Sequence, residues 1–241
     1  MIRIYQNMTF NIGEIGALSP DRSHYLANVM RVKPGERCVI FNGQSTEEAI
    51  AEVKEASGKK VLVEILETQI NISESPLKIH LIQGVAKGPK MDWILQKSTE
   101  LGVSAITPVF TEFCDVKLDA KRAEKKLAHW QQVVVSACEQ SGRAIVPTIH
   151  PPCSLERCID QLGKVRILAL EPGAPASIHD IEKPSGNIAC IIGPEGGLSE
   201  KDKNTLKTRN IQFIQLGKRI LRTETASIVI LSLLQFLDCV T

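Results

Sequence analysis

Gly193-Pro194-Glu195-Gly196-Gly197-Leu198-Ser199-Glu200 and Leu216-Gly217-Lys218-Arg219-Ile220-Leu221-Arg222-Thr223-Glu224-Thr225-Ala226 decide how this chain is read. Each follows a short apolar run of the kind that forms a buried strand, Asn187 to Ile192 for the first and Ile211 to Leu216 for the second. Each leads into a helical pattern. Glycines at a strand end remove the Cβ that would hold a ligand away from bare backbone. Two such turns, separated by one helix of a parallel sheet, are expected side by side at the carboxyl ends of their strands, where open α/β sheets bind nucleotides. Neither turn carries the Gly-Lys-Ser/Thr ending of a phosphate loop, and the G-x-G-x-x-G of a dinucleotide fold is missing. The usual pyrophosphate grips are therefore excluded.

Strand and helix patterns alternate on the N-terminal side of these turns. Ile79 to Val85 reads as a strand, Met91 to Leu101 as a helix, Ala105 to Phe110 as a strand and Lys121 to Ser141 as a long helix. Val146 to Ile149, a helix near Leu155 to Leu162 and a strand from Val165 to Leu170 follow. Roughly the first seventy residues read mostly as β instead. Cys38 to Phe41 runs into Asn42-Gly43, a tight-turn signal, and Ser57-Gly58 divides Ala49 to Glu55 from Lys60 to Thr68. One helix interrupts them, with Ser19 as N-cap, Pro20 at its first position and Leu26, Val29 and Met30 along one face. Asn71 to Pro76 is a polar connector and the best boundary. Pattern alone draws a small barrel followed by an open parallel α/β sheet.

The same residues carry a resemblance. The paired turns resemble the SPOUT methyltransferases, whose C-terminal trefoil knot binds S-adenosylmethionine. Within them, the two quoted stretches are similar to the ribosomal RNA uridine-N3 methyltransferases that act on 16S rRNA of the small ribosomal subunit. Lys87-Gly88-Pro89-Lys90-Met91-Asp92, Gln96-Lys97-Ser98-Thr99-Glu100-Leu101-Gly102-Val103 and Glu139-Gln140-Ser141-Gly142-Arg143 match that family too. The match is close from about residue 74 onward and looser before it. It implies an α/β fold: an N-terminal PUA-like RNA-binding β-barrel over residues 1–72 and a trefoil-knotted SPOUT methyltransferase domain over residues 73–241. Knots are rare, and periodicity does not suggest one. The resemblance also implies S-adenosylmethionine as cofactor, 16S rRNA as partner and an obligate homodimer. Two rivals keep part of this picture: the same fold with another RNA target, such as a tRNA ribose 2′-O, or a non-catalytic RNA-binding assembly factor.

Cofactor contacts are implied at Leu170, Ile192, Gly193, Gly197, Leu216, Gly217, Ile220, Leu221 and Thr223, within three loops that follow strands. The bland reading of these loops is local. Ser199-x-x-Asp202 has the form of a capping box, and Thr223 suits a helix N-cap. Methylating uridine N3 requires loss of its imino proton, so either a base or a cation beside the resulting anion is needed. Arg222 is the first choice for the electrostatic role, and Arg219 and Lys218 could hold a substrate phosphate. Glu195 is a candidate base, although a carboxylate there also complements a helix N-terminus. Lys87 and Lys90 flank a Gly-Pro turn and are candidates for phosphate contact. Arg143 serves the C-terminal end of a long helix, or else a substrate or an interface. Arg22, His24, Arg31 and Lys33, with Arg37, form a basic cluster that is either an RNA contact or ordinary solvated charge. His80 sits in an apolar strand and reads as a core histidine.

Composition sets bounds without naming a function. A 43% hydrophobic, 23% charged chain of net charge +2 is an ordinary globular protein, so any RNA surface must be a local patch. Seven cysteines without a C-x-x-C pair suit reduced thiols, and five scattered histidines anchor no metal. The start of the chain lacks the apolar core of a signal peptide, and the apolar segment Ala226 to Leu237 is too short to span a bilayer. The expectation is a cytoplasmic protein without membrane or metal partners. The last helix, Glu224 to Asp238, is apolar nearly all round and must be covered on more than one face, by a second subunit or by a large neighbour in the chain.

Overall fold

The structure, a computed structural model, describes residues 1–58, 60–116, 119–184 and 186–239. The backbone divides into two units, Met1–Glu74 with Cys138–Val146, and Ser75–Ala137 with Pro147–Thr241.

The first unit holds β1 (Ile2–Tyr5), β2 (Ile15–Ala17), β3 (Arg37–Phe41), β4 (Glu47–Ser57) and β5 (Lys60–Ile70) in one sheet of order β1-β3-β4-β5-β2. β3, β4 and β5 pair antiparallel, and β1 joins β3 in parallel. Val61, Val63 and Ile65 alternate inward along β5 and pack with Ile4, Leu26, Ile40 and Val53. β1 and β2 are too short to show a period and escape the sequence reading. The Asn42-Gly43 signal is a turn of a different kind: Asn42 Oδ1 accepts from the backbone N–H groups of Gln44 (2.9 Å) and Ser45 (3.2 Å), making a longer Asx-type connection.

The helix of this unit departs from expectation. α1 (Pro20–His24) continues as a π-helical turn, Tyr25–Met30, and Ser19 makes no side-chain cap. Leu26 is fully buried, but Val29 and Met30 are 59% and 41% exposed. Winding with i→i+5 bonds turns the chain less per residue, which carries positions 29 and 30 off the buried face.

Arg143 is a correction. It is 5% exposed, and its Nε and Nη2 donate to the two oxygens of Glu74 at 3.0 and 2.7 Å. A guanidinium forked onto a buried carboxylate holds this unit together and is not offered to a substrate. Arg22 is likewise engaged, 3.1 Å from Glu139, whereas His24, Arg31 and Lys33 are exposed.

The second unit is a parallel sheet of β6 (Lys78–Gly84), β7 (Ala105–Phe110), β8 (Thr148–Ile149), β9 (Cys153–Ser154), β10 (Arg166–Leu170), β11 (Ala176–Ser177), β12 (Asn187–Ile192) and β13 (Gln212–Gln215). Its order is β11-β13-β10-β12-β6-β7-β8, with β9 also on β7. Ile188 to Ile192 are all buried, as a central parallel strand covered on both faces requires. The helices are α2 (Pro89–Glu100), α3 (Ala120–Ser141, of which Cys138 onward falls in the first unit), α4 (Leu155–Gln161), α5 (Glu200–Lys207) and α6 (Thr223–Cys239). α6 packs on α2, β6 and β12, burying Ile230, Leu231 and Leu234.

His80 on β6 lies 2.8 Å from Thr107 Oγ1. Burial, helped by the neighbouring His150, pushes its pKa down to about 4. An unfolded histidine titrates near 6.5, so between these values the unfolded chain binds a proton that the folded chain refuses. This stability is complete above about pH 6.5 and is lost as pH falls towards 4. Between pH 7 and pH 5 the loss from this one group should be about 2 kcal/mol. Urea titrations of wild type and His80→Asn at the two pH values check it; equal losses in both would rule the group out.

Candidate functional site

Three strands of the second unit end at one place. β12 runs into Gly193-Pro194-Glu195-Gly196-Gly197, β10 into Glu171-Pro172-Gly173, and β13 into the segment that leads to α6. The two glycine-rich turns are not on adjacent strands as expected: β10 lies between β12 and β13. Its own end, Leu170, completes the site. Between the three ends lies a cleft of about 410 Å³, within the range usual for small-molecule sites. All nine expected cofactor residues, Leu170, Ile192, Gly193, Gly197, Leu216, Gly217, Ile220, Leu221 and Thr223, line it. So do Lys90, Glu195, Arg219 and Arg222.

Local chemistry shapes each turn. The Gly197 N–H bonds the Pro194 carbonyl at 2.9 Å, and Ser199 then caps α5 in a full capping box with Asp202. Gly197 and Gly217 take φ of +74° and +106°, and a Cβ on either would meet no protein atom within 4 Å. Their backbone is bare where it borders the cleft.

A buried polar chain fixes the turns to one another. Thr223 Oγ1 donates to the Gly193 carbonyl at 2.6 Å, and Gln83 Nε2 donates to Thr223 Oγ1 at 2.9 Å. Ser227 Oγ lies 2.6 Å from Gln83 Oε1 and 2.9 Å from the Thr223 carbonyl. Gln83, Thr223 and Ser227 are buried, where an unpaired polar group would cost about 1–3 kcal/mol. The network therefore ties β6, the first glycine turn and the start of α6 into one arrangement.

The rim is cationic. Lys218, Arg219 and Arg222 are exposed and make no ion pair among the described residues. Glu195 accepts from the Lys87 N–H at 3.1 Å and from Lys90 Nζ at 3.2 Å. Burial alone would raise its carboxyl, but the hydrogen bonds from its own and the Lys87 amides, with Lys90, bring it below the ordinary glutamate value. A carboxylate held ionised this way is a weak base, so Glu195 is unsuited to take the imino proton. Lys87 pairs with Asp115 at 2.6 Å.

Residues 73–235 match the RNA methyltransferase domain family, and residues 18–66 match the RNA methyltransferase PUA domain family. The ribosomal RNA small subunit methyltransferase E of Buchnera aphidicola subsp. Schizaphis graminum is 35% identical, covering 97% of this chain and 95% of that protein. The crystal structure of a ribosomal RNA small subunit methyltransferase E from Neisseria gonorrhoeae, bound to S-adenosyl methionine, shares 39% identity at a TM-score of 0.94, covering 98% of both chains. A Legionella pneumophila methyltransferase in complex with S-adenosylmethionine gives 38% and 0.94, covering 98% of this chain and 97% of that one. The chain belongs to the ribosomal RNA small subunit methyltransferase E family.

In this family member the expected substrate residues are shared between the two units. Arg22, His24, Arg31, Lys33 and Arg143 belong to the first unit, while Lys87, Lys90 and Arg219 belong to the second. Sequence reasoning missed Gln83, Gly84 and Ser227. The signal was there for Gln83, a polar side chain at the end of an apolar buried strand, which needs a partner. Gly84 carried no signal, because its role is steric and set by a distant turn. A Cβ there would collide with Pro194 N, and would lie 2.5 Å from Pro194 Cδ and 2.8 Å from the Gly193 carbonyl carbon.

Proposed function

We propose that the protein transfers a methyl group from S-adenosylmethionine to N3 of a uridine in 16S rRNA of the small ribosomal subunit, acting in the cytoplasm as a homodimer. The observation that carries this reading is the single cleft made by the ends of β10, β12 and β13 in a chain of this family. The cleft's residues fit the cofactor. Ile192, Leu198, Ile214, Leu216 and Leu221 form an apolar slot for a purine face, and bare backbone at Gly197 and Gly217 offers polar groups to its edge.

When bound, S-adenosylmethionine supplies an activated methyl carbon on a sulfonium. The chain's own residues do the rest. The polar network through Thr223 fixes the walls in place, so the acceptor is met by a preorganised site. Arg222 stabilises the negative charge that uridine develops when its N3 proton leaves. Arg219 and Lys218 hold phosphate. Glu195 anchors the loop bearing Lys87 and Lys90.

Residues 1–72 act as the PUA-like RNA grip through His24, Arg31 and Lys33, and residues 73–241 carry out the transfer. The strand order supports a trefoil knot in the second domain, since β13 enters between β10 and β11, both earlier in the chain. The homodimer is supported by α6, whose Ile228, Val229 and Leu233 are half-buried and whose Phe236 is 62% exposed. No helix among the described residues is long and apolar enough to cross a membrane, and no group of three His, Cys, Asp or Glu among them could hold a metal.

Purified protein, labelled S-adenosylmethionine and unmethylated small subunits test the reading. Label should enter 16S rRNA, and mass spectrometry of the nucleosides should find N3-methyluridine. Label in a ribose, or none in rRNA, would overturn it. Gly84→Ala should weaken donor binding about 5- to 150-fold, because overpacking against backbone costs roughly 1–3 kcal/mol and must displace the Gly193-Pro194 turn. Calorimetric titration with S-adenosylmethionine reads this directly; wild-type affinity would show that the turn does not shape the site.

A further inference from the structure

We propose that Phe113 is a stacking platform for a nucleobase of the RNA substrate at the mouth of the donor cleft. The inference rests on the reading of the protein as an RNA methyltransferase and adds a substrate contact to it. Phe113 is 50% exposed although it belongs to the well-packed second unit. It sits on the turn that follows β7, and that turn is closed by one bond of its own and held by three from outside. The Cys114 N–H bonds the Thr111 carbonyl at 3.1 Å, and the Glu112 N–H bonds Asp202 Oδ2 at 3.4 Å. Cys114 Sγ donates to the Val85 carbonyl at 3.5 Å, and Asp115 pairs with Lys87 at 2.6 Å.

The glycine turn sets where Phe113 leaves the backbone. A Cβ on Gly196 would lie 2.8 Å from Phe113 Cβ and 3.2 Å from its carbonyl oxygen. Gly196 does not line the cleft, and its φ is ordinary, so neither a ligand nor a left-handed turn explains the glycine. The approach of Phe113 does. Its two neighbours, Glu195 and Gly197, do line the cleft. An apolar ring is therefore held in solvent, on a fixed turn, one residue from the donor site.

An exposed aromatic of this kind needs a flat apolar partner, and the surrounding charge selects which. Lys87 and Lys90 stand at the same rim, bridged to the turn and to Glu195. Lysines close to an exposed aromatic residue are the pattern that binds single-stranded nucleic acid, with the cations taking the backbone and the ring taking a base. A base must leave its helix to reach a methyl donor, and a preordered ring offsets part of the lost stacking. A protein surface covering Phe113 is the competing occupant.

The test compares Phe113→Ala, Phe113→Leu and Phe113→Trp with wild type in methylation of unmethylated small subunits at saturating S-adenosylmethionine. Alanine should lower kcat/KM for the subunit about 5- to 100-fold, as expected for one base stack. Leucine, apolar but not flat, should do nearly as badly, and tryptophan should recover to within about threefold. Donor affinity by calorimetry should stay unchanged in all three. Wild-type kcat/KM in the alanine and leucine variants overturns the proposal. So does a loss that comes with weakened donor binding, which would make Phe113 only a prop for Gly196, or a shifted dimer dissociation constant with normal kcat/KM. A wild-type enzyme that labels no rRNA would instead overturn the underlying reading, and the platform with it.

Discussion

Arg222→Ala should slow methyl transfer by about 10²- to 10³-fold while leaving S-adenosylmethionine affinity within about twofold of wild type. The guanidinium is placed by its neighbours. The Arg222 carbonyl accepts the first helical bond of α6, from the Ala226 N–H at 2.8 Å, and the next residue, Thr223, is locked onto Gly193 and Gln83. The backbone of Arg222 is therefore fixed while its side chain stays exposed at the cleft, without an ion pair among the described residues to compete for it. A cation so placed contributes only as uridine develops negative charge, which is why the loss should fall on kcat and not on donor binding. Arg222→Lys should recover part of the rate, because it keeps the charge and loses the planar fork. In the alanine variant the rate should climb more steeply with pH, because hydroxide must then do what the cation did. Single-turnover rates across pH 6.5 to 9.5 would show this, and an unchanged rate constant at every pH would remove Arg222 from the mechanism.

The site was legible in the sequence where its chemistry is local. Ile188 to Ile192 is a short apolar run of the length a buried parallel strand needs, the glycines that follow mark an exposed backbone, and the Ser199–Asp202 box is a four-residue motif. The long-range facts were not legible. No pattern states that β10 separates the two glycine-rich strands, because sheet order follows from how the chain is threaded. Nor does any pattern state that Gly84 faces Pro194, or that Gly196 faces Phe113, since a missing Cβ is explained only by what approaches it. Arg143 was misplaced for a related reason. A cation near the end of a helix looks solvent-facing until its partner, 69 positions away in sequence, is seen. Glu195 looked like a base because residue type was visible while the two amides and the lysine that hold its proton off were not.

Arg143→Leu should destabilise the first unit by about 3–5 kcal/mol, the usual result of removing one partner of a buried ion pair. Glu74, whose side chain is only 9% exposed, would lose both guanidinium bonds and retain, among the described contacts, the Ile145 N–H at 3.4 Å. The damage should spread, because the segment Cys138–Val146 is held through polar contacts at several points. Asn71 Nδ2 donates to the Gly142 carbonyl at 2.9 Å, Arg3 Nη2 to the Arg143 carbonyl at 3.3 Å, and the Tyr5 N–H to Glu139 at 3.0 Å. Arg3 and Asn71 also bind Glu48; burial would raise that carboxyl, but its bonds from Arg3, Gln69 and Asn71 together hold it below the ordinary value. Tryptophan fluorescence would miss the event, since Trp93 and Trp130 both lie in the second unit. Hydrogen exchange along β4 and β5 reads it, and those amides should exchange about 10²- to 10⁴-fold faster in the variant, as about 3–5 kcal/mol implies. The double variant Arg143→Leu with Glu74→Leu separates charge from packing. If the pair's contribution is mainly the avoidance of an unpaired buried charge, the double variant should regain most of the lost stability. If it stays as unstable as the single variant, the fork between the two side chains is itself what binds the segment, and the electrostatic account fails.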